Sequence, residues 1–246
     1  MKVGILTFHR CINYGSYWQA RCLVTWLRAR GVATLWLNRA DKNNAFDAQV
    51  IGELNAALAQ VQDDAGIRFL ILRGRGKHFS AGADLGWMRE SAKLDYQANL
   101  ADAHELGELM QRLYQLPQPT LAVVQGAAFG GALGLIACCD MAIGARDALF
   151  CLSEVRLGIV PGMGGTQRLT RALGKSKAMD LCLTGRFMEA EEAERAGLAG
   201  VDPQLLGQAE RGEAVGQAVV HRLDLGALGR GDLRRALGPA RCRARR

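Results

Sequence analysis

No uninterrupted apolar run of about eighteen residues occurs in the chain, so it offers no candidate for a membrane-spanning helix. Its first residues also lack a basic segment leading into an apolar stretch and a small-residue cleavage site. A soluble, cytoplasmic protein with no membrane partner is expected. The signatures of metal and covalent chemistry are missing too. Seven cysteines, at positions 11, 22, 138, 139, 151, 182 and 242, form no C-x-x-C pair, which argues against a zinc site or a disulfide framework and for reduced, mostly core thiols. His78 has no partner at metal-ligand spacing and reads as part of a turn surface, so no metal site is assigned. There is no Gly-x-Ser-x-Gly elbow for a serine nucleophile. Gly174-Lys175-Ser176 looks like the end of a phosphate loop, but Leu169 stands where that loop needs glycine. Gly162-Met163-Gly164-Gly165 lacks the third glycine of a dinucleotide turn. Aromatic residues are absent after Phe187, so the arginine-rich stretch from Leu233 to Arg246 has nothing to stack on bases. The net charge of +7 is therefore read as a solvated tail and not as a nucleic-acid site, although a phosphate-bearing ligand would suit it.

What is present is a 246-residue chain with 49% apolar and 22% charged residues, enough for one large α/β domain. Val3 to Phe8 reads as a strand, Ser16 to Arg30 as a helix ended by Gly31, and Ala33 to Leu37 as a second strand. After a turn through Asp41 to Asn44, a helix is predicted from about Asp47 to Asp63, with Val50, Leu54, Leu58 and Val61 on one face. Phe69 to Arg73 is a buried strand, followed by a loop holding Gly74, Gly76 and Gly82. A helix from about Tyr96 to Leu116 stops before Pro117 and Pro119. Leu121 to Gln125 is a strand, Gly130 to Cys138 opens a helix, and Met141 to Gly144 starts another strand. Beyond Gly200 the pattern decays: Leu205 to Val220 makes only a weak helix, since Gly207, Gly212 and Gly216 each cost about 1 kcal/mol relative to alanine. The tail is expected to be poorly ordered.

Three stretches carry chemistry. His78-Phe79-Ser80-Ala81-Gly82-Ala83-Asp84, Gly126-Ala127-Ala128-Phe129-Gly130-Gly131-Ala132 and Ser153-Glu154-Val155-Arg156-Leu157-Gly158 follow one another at gaps of about forty and twenty residues. A thioester reacts at its α and β carbons only when charge developing on its oxygen is stabilised, which preorganised backbone donors do. Ala81-Gly82-Ala83 follows a strand and a glycine turn, where an N–H can be left unpaired. Gly130-Gly131 sits at a helix start, whose first N–H groups have no intrahelical partner and whose dipole favours an anion. Glu154, among apolar neighbours, is the candidate acid and base, its pKa raised by burial; a surface carboxylate paired with Arg156 or Arg168 is the plainer alternative.

From about Gly31 to Gly200 these motifs resemble the crotonase superfamily, the enoyl-CoA hydratases and isomerases. The resemblance implies an α/β fold, a crotonase-like spiral of repeated strand-strand-helix units with an atypical N-terminus and truncated or disordered C-terminal helices. Three parts are expected: an N-terminal segment (1–30), an acyl-CoA-binding core (31–200) and a Gly/Arg-rich tail (201–246). It also implies that the amides of Ala83 and Gly131 are the oxyanion donors. The acyl-CoA substrate would lie along Ala45, Ala81, Asp84 and Leu85, with Gly130, Gly134, Ser153, Pro161 and Gly162 completing its site. Coenzyme A would enter as part of the substrate, no other cofactor is needed, and a homotrimer or hexamer is implied.

Several features depart from the general pattern. Two-glutamate hydratases carry a second carboxylate where this chain has Gly134, and many isomerases do without it. The runs Phe129 to Leu135, Cys138 to Gly144, Ala40 to Phe46 and Phe150 to Arg156 resemble bacterial methylglutaconyl-CoA-type hydratases of branched-chain and terpenoid breakdown. Pro161 to Gly174 looks more like the short-chain enoyl-CoA hydratases. Residues 1–30 resemble the start of a polysaccharide pyruvyl transferase. The leading expectation is a hydratase of lyase class; the alternatives are an isomerase using the same site and a non-catalytic or assembly-defective acyl-CoA binder.

Overall fold

The computed structural model describes residues 31–202; the expected first strand and helix and the weak helix over 205–220 lie outside the described residues. In chain order the elements are β1 (Val32–Leu37), α1 (Ala48–Asp63), β2 (Phe69–Gly74), α2 (Leu85–Ser91), α3 (Tyr96–Gln115), β3 (Thr120–Val124), β4 (Ala127–Phe129) and α4 (Gly131–Cys138). There follow β5 (Met141–Ala145), β6 (Leu149–Cys151), a 3-10 turn (Ser153–Leu157) and a π-helical turn (Gly165–Leu169) running into α5 (Thr170–Leu173). The described part closes with α6 (Lys175–Thr184), β7 (Phe187–Glu189), α7 (Ala190–Arg195) and β8 (Gly200–Asp202).

The apolar runs become a parallel five-stranded sheet in the order β1-β2-β3-β5-β8. Parallel strands are covered on both faces, which is why β1, β2 and β3 are buried throughout and show no polar alternation. Leu70 and Leu72 face one core with α1, α3 and α4, while Phe69 and Ile71 face a second cluster with Val32, Leu121 and Val123. On α1, Val50, Ile51, Leu54, Leu58 and Val61 are buried, and on α3 Leu109, Met110 and Leu113. Each helix is started by an aspartate whose carboxylate accepts an N–H of the first turn: Asp47 from Val50 (2.9 Å) and Asp95 from Ala98 (2.8 Å).

A second, three-stranded ladder forms beside this sheet. β4 pairs parallel with β6, and β6 antiparallel with β7. Two isolated bridges, Phe46 with Ala83 and Ser80 with Ala128, join the same layer. The strand-strand-helix unit is thus plain in β3-β4-α4, whereas after β1 and β2 the second strand shrinks to bridge residues. The passes after β2, β3 and β5 carry the three stretches singled out above.

Candidate active site

The first loop is held by side chains buried behind it. Asn44, buried and in the left-handed region (φ 56°), directs its amide nitrogen to the carbonyls of Arg75 (2.8 Å), His78 (2.9 Å) and Phe79 (3.1 Å), and its Oδ1 accepts the Arg39 N–H (2.9 Å). Ser80 Oγ donates to Asn44 O (2.8 Å) and accepts from the Gly82 N–H (3.1 Å). The N–H of Ser80 goes to Ala127, that of Ala81 to Asn43 and that of Asp84 to Phe46. Phe46 in turn donates to Gly82 O (2.7 Å). In such a parallel bridge the partner residue's own N–H points the other way. The Ala83 N–H accordingly donates to nothing among the described residues.

The second donor arises at the start of α4. Gly130 takes the cap position at φ 54° and donates to Cys151 O (2.8 Å), fixing the helix start to β6. Gly131 is the first helical residue, and its N–H likewise has no acceptor among the described residues. The two loops touch through Gly82 (φ 84°). A Cβ there would fall 2.6 Å from Phe129 O and 3.4 Å from Gly131 N, so glycine is what lets the residue before Ala83 lie against the Gly131 amide.

Glu154 is brought in by the 3-10 turn after β6. It is 8% exposed, and a Cβ on Gly130 would lie 3.1 Å from its Oε1. Its Oε2 has no hydrogen-bond partner among the described residues. Burial pushes the carboxyl pKa above the ordinary glutamate range. The two cations considered as partners are turned elsewhere: Arg156 donates to Gly185 O (2.8 Å) and stacks on Phe187, and Arg168 stacks on Tyr114.

The place where a second carboxylate was considered is filled by main chain. A Cβ on Gly134 would collide with the carbonyl oxygen of Met163, and one on Gly131 with the Met163 sulfur. The loop 161–165 therefore packs directly onto α4, and glycine at 134 permits that approach.

The remaining candidates are spread around this point. Asp84 accepts from Gly86 N (2.7 Å), Trp87 N (3.2 Å) and Arg39 Nη1 (2.7 Å); the Trp87 N–H first, then Gly86 and Arg39, hold its carboxyl below the usual range. Its side chain caps α2 and braces the loop. Arg39 also bonds Ala45 O (3.1 Å) and Asp47 (3.0 Å), drawing Ala45 into the same brace. Leu85 is exposed at the start of α2, Ala81 and Ser153 are half-buried, Pro161 is buried and Gly162 is exposed. His78 is corrected from a turn surface: it is half-buried, its Nδ1 accepts the Ala127 N–H (3.1 Å), and burial, then Lys77, lowers its pKa. Arg39, Asn44, Ser80 and Met163 escaped the sequence reading; only the tandem Asn43-Asn44, both at positive φ, marked its turn. Among the described residues no group of three His, Cys, Asp or Glu could hold a metal ion, and no helix is long and apolar enough to cross a membrane.

The geometry can be set beside known proteins. The profile of the enoyl-CoA hydratase/isomerase family matches residues 28–206. The chain is 44% identical over 173 residues to the probable enoyl-CoA hydratase echA8 of Mycobacterium tuberculosis, covering 70% of this chain and 65% of that one. It is 39% identical over 172 residues to a crotonyl-CoA hydratase of Syntrophomonas wolfei, covering 68% and 64%. The chain thus spans slightly under two thirds of the length of these curated relatives. Among solved structures, an enoyl-CoA hydratase from Shewanella pealeana superposes with a TM-score of 0.68 at 40% identity, covering 84% of this chain and 82% of that one. A match over most of the chain and the same α/β fold place it: the chain belongs to the enoyl-CoA hydratase/isomerase family.

Proposed function

We propose that the protein is an acyl-CoA lyase that adds water across the 2,3 double bond of an enoyl-CoA. One observation carries this reading: two main-chain N–H groups without acceptors, on loops in contact, beside a buried carboxylate with one oxygen free of partners. The thioester oxygen takes the Ala83 and Gly131 amides as donors, each contributing about 3 to 4 kcal/mol to the transition state. Ionised Glu154 removes a proton from water as the water oxygen bonds to the β carbon. The electron pair of the double bond passes to the thioester as an enolate, and Glu154 returns the proton to the α carbon. Water is added and the carboxylate regenerated. Coenzyme A lies along the loop from Ala81 to Leu85 and past Ala45, with Ser153, Pro161 and Gly162 around the acyl group. A substrate bearing its own carboxylate, of the methylglutaconyl type, would orient the water that a second glutamate orients elsewhere.

The contact between Met163 and Gly134 favours one other reading, an isomerase, because moving a proton between the α and γ carbons requires no bound water. Incubating the protein with a trans-2-enoyl-CoA and with a 3-enoyl-CoA separates the two by which thioester changes its absorbance. Under either reading Glu154→Gln lowers turnover by about 10²- to 10⁴-fold; full activity in that variant contradicts both.

A further inference from the structure

Met163 is the side chain set hardest against the paired-amide site. Its sulfur occupies the position a Cβ on Gly131 would take, and its backbone oxygen the position a Cβ on Gly134 would take. It is half-buried, packs on the main core, and stands in the left-handed region (φ 52°) with Gly162 before it and Gly164 (φ 76°) after it. A glycine at 163 would hold this backbone without the steric cost that a Cβ incurs there. The thioether is thus an addition to the loop that its path does not require.

We propose that Met163 sets the acyl-chain length this site accepts. The inference rests on the enoyl-CoA reading. A thioester whose oxygen meets the Gly131 amide has both the Glu154 carboxylate, against Gly130, and the Met163 sulfur, against Gly131, close to it. An acyl group that extends past Gly131 meets the thioether, and each further methylene on that path must displace it. Methionine is unbranched and deformable, so it grades chain length rather than blocking it outright. Opening the space returns binding of about fourfold for each methylene newly buried.

The test uses the full chain and three variants. Met163→Gly removes both the side chain and the backbone strain, Met163→Ala removes the side chain alone, and Met163→Leu keeps the bulk. Hydration of trans-2-enoyl-CoAs of four to ten carbons gives kcat/KM for each length, and calorimetry gives Kd for the saturated acyl-CoAs of the same lengths. The ratio of kcat/KM for ten carbons to that for four should rise by about tenfold or more in the Gly and Ala variants and stay within about threefold of wild type in the Leu variant. An unchanged ratio in the Gly and Ala variants, with acyl-CoAs still binding, overturns the role of Met163 and leaves the enoyl-CoA reading standing. Failure of the wild-type protein to bind any of the saturated acyl-CoAs overturns both.

Discussion

Glu154 holds its proton more tightly in the folded chain than in the unfolded one, because burial raises its pKa. Its contribution to stability is therefore fullest below the ordinary carboxylate pKa and is lost as the pH rises through the higher folded value. At pH 7 the ionised side chain works against folding, so Glu154→Gln should melt higher than wild type, by about 2–4 °C for each kcal/mol of relief. The difference should vanish near pH 4, and a thermal melt at both pH values checks it; a lower melting temperature at pH 7 contradicts the assignment. The same shift places the acid limb of the turnover profile above the pH at which an ordinary glutamate titrates. Glu154 could be picked out from the sequence because a carboxylate directly after a strand-like run and before Leu157 to Val160 has few ways to remain solvated. Met163 could not, since its contact with Gly131 and Gly134 joins segments about thirty residues apart and leaves no periodic trace.

Two elements decide whether the amides stay in place. The loop from Arg39 to Asp47 braces the loop from Gly74 to Asp84 through Asn44, which ties three carbonyls and one N–H. Asn44→Ala should destabilise the fold by about 2 to 3 kcal/mol through groups left unpaired and lower kcat more than it raises KM; denaturant unfolding and steady-state kinetics measure both. The start of α4 responds to volume. Gly134→Ala should cost about 1–3 kcal/mol by overpacking against Met163, and Gly134→Glu should not supply a working second carboxylate. A Gly134→Glu protein of wild-type stability and higher hydratase rate would show that the 161–165 loop yields freely. The main sheet was legible because buried parallel strands are continuous apolar runs, and the predicted strands fall within one or two residues of β1, β2, β3 and β5. The second ladder was not: Phe46, Ser80 and Ala83 pair as single bridge residues and β4, β6 and β7 span three residues each, as does β8 at the edge of the main sheet, too short for a period to show. Helices α6 and α7 were also missed; they are held by an ion network in which Arg186 bonds Asp180 and Glu192 (both 2.6 Å) and Lys177 bonds Glu192 (2.8 Å), contacts that composition does not announce.

At the scale of the whole molecule, Val160 is 78% exposed and Leu183 66%, with Leu157, Ile159 and Phe187 also open to solvent on neighbouring parts of the chain. Apolar area of this kind favours association, and a trimer of the 26.6 kDa chain is proposed on the family resemblance alone. Light scattering at micromolar concentration should give about three times the chain mass; a stable monomer would favour an acyl-CoA binder over a working hydratase. The central claim, that two free amides and one buried carboxylate stabilise a thioester enolate, is tested most directly without any double bond. Butyryl-CoA incubated with the protein in deuterium oxide should exchange its α protons, seen by NMR, because enolate formation needs only the amides and Glu154. The account predicts exchange in wild type and a loss of about 10²-fold or more in Glu154→Gln. Equal exchange in the two proteins, or none in a wild type that binds butyryl-CoA, would contradict it.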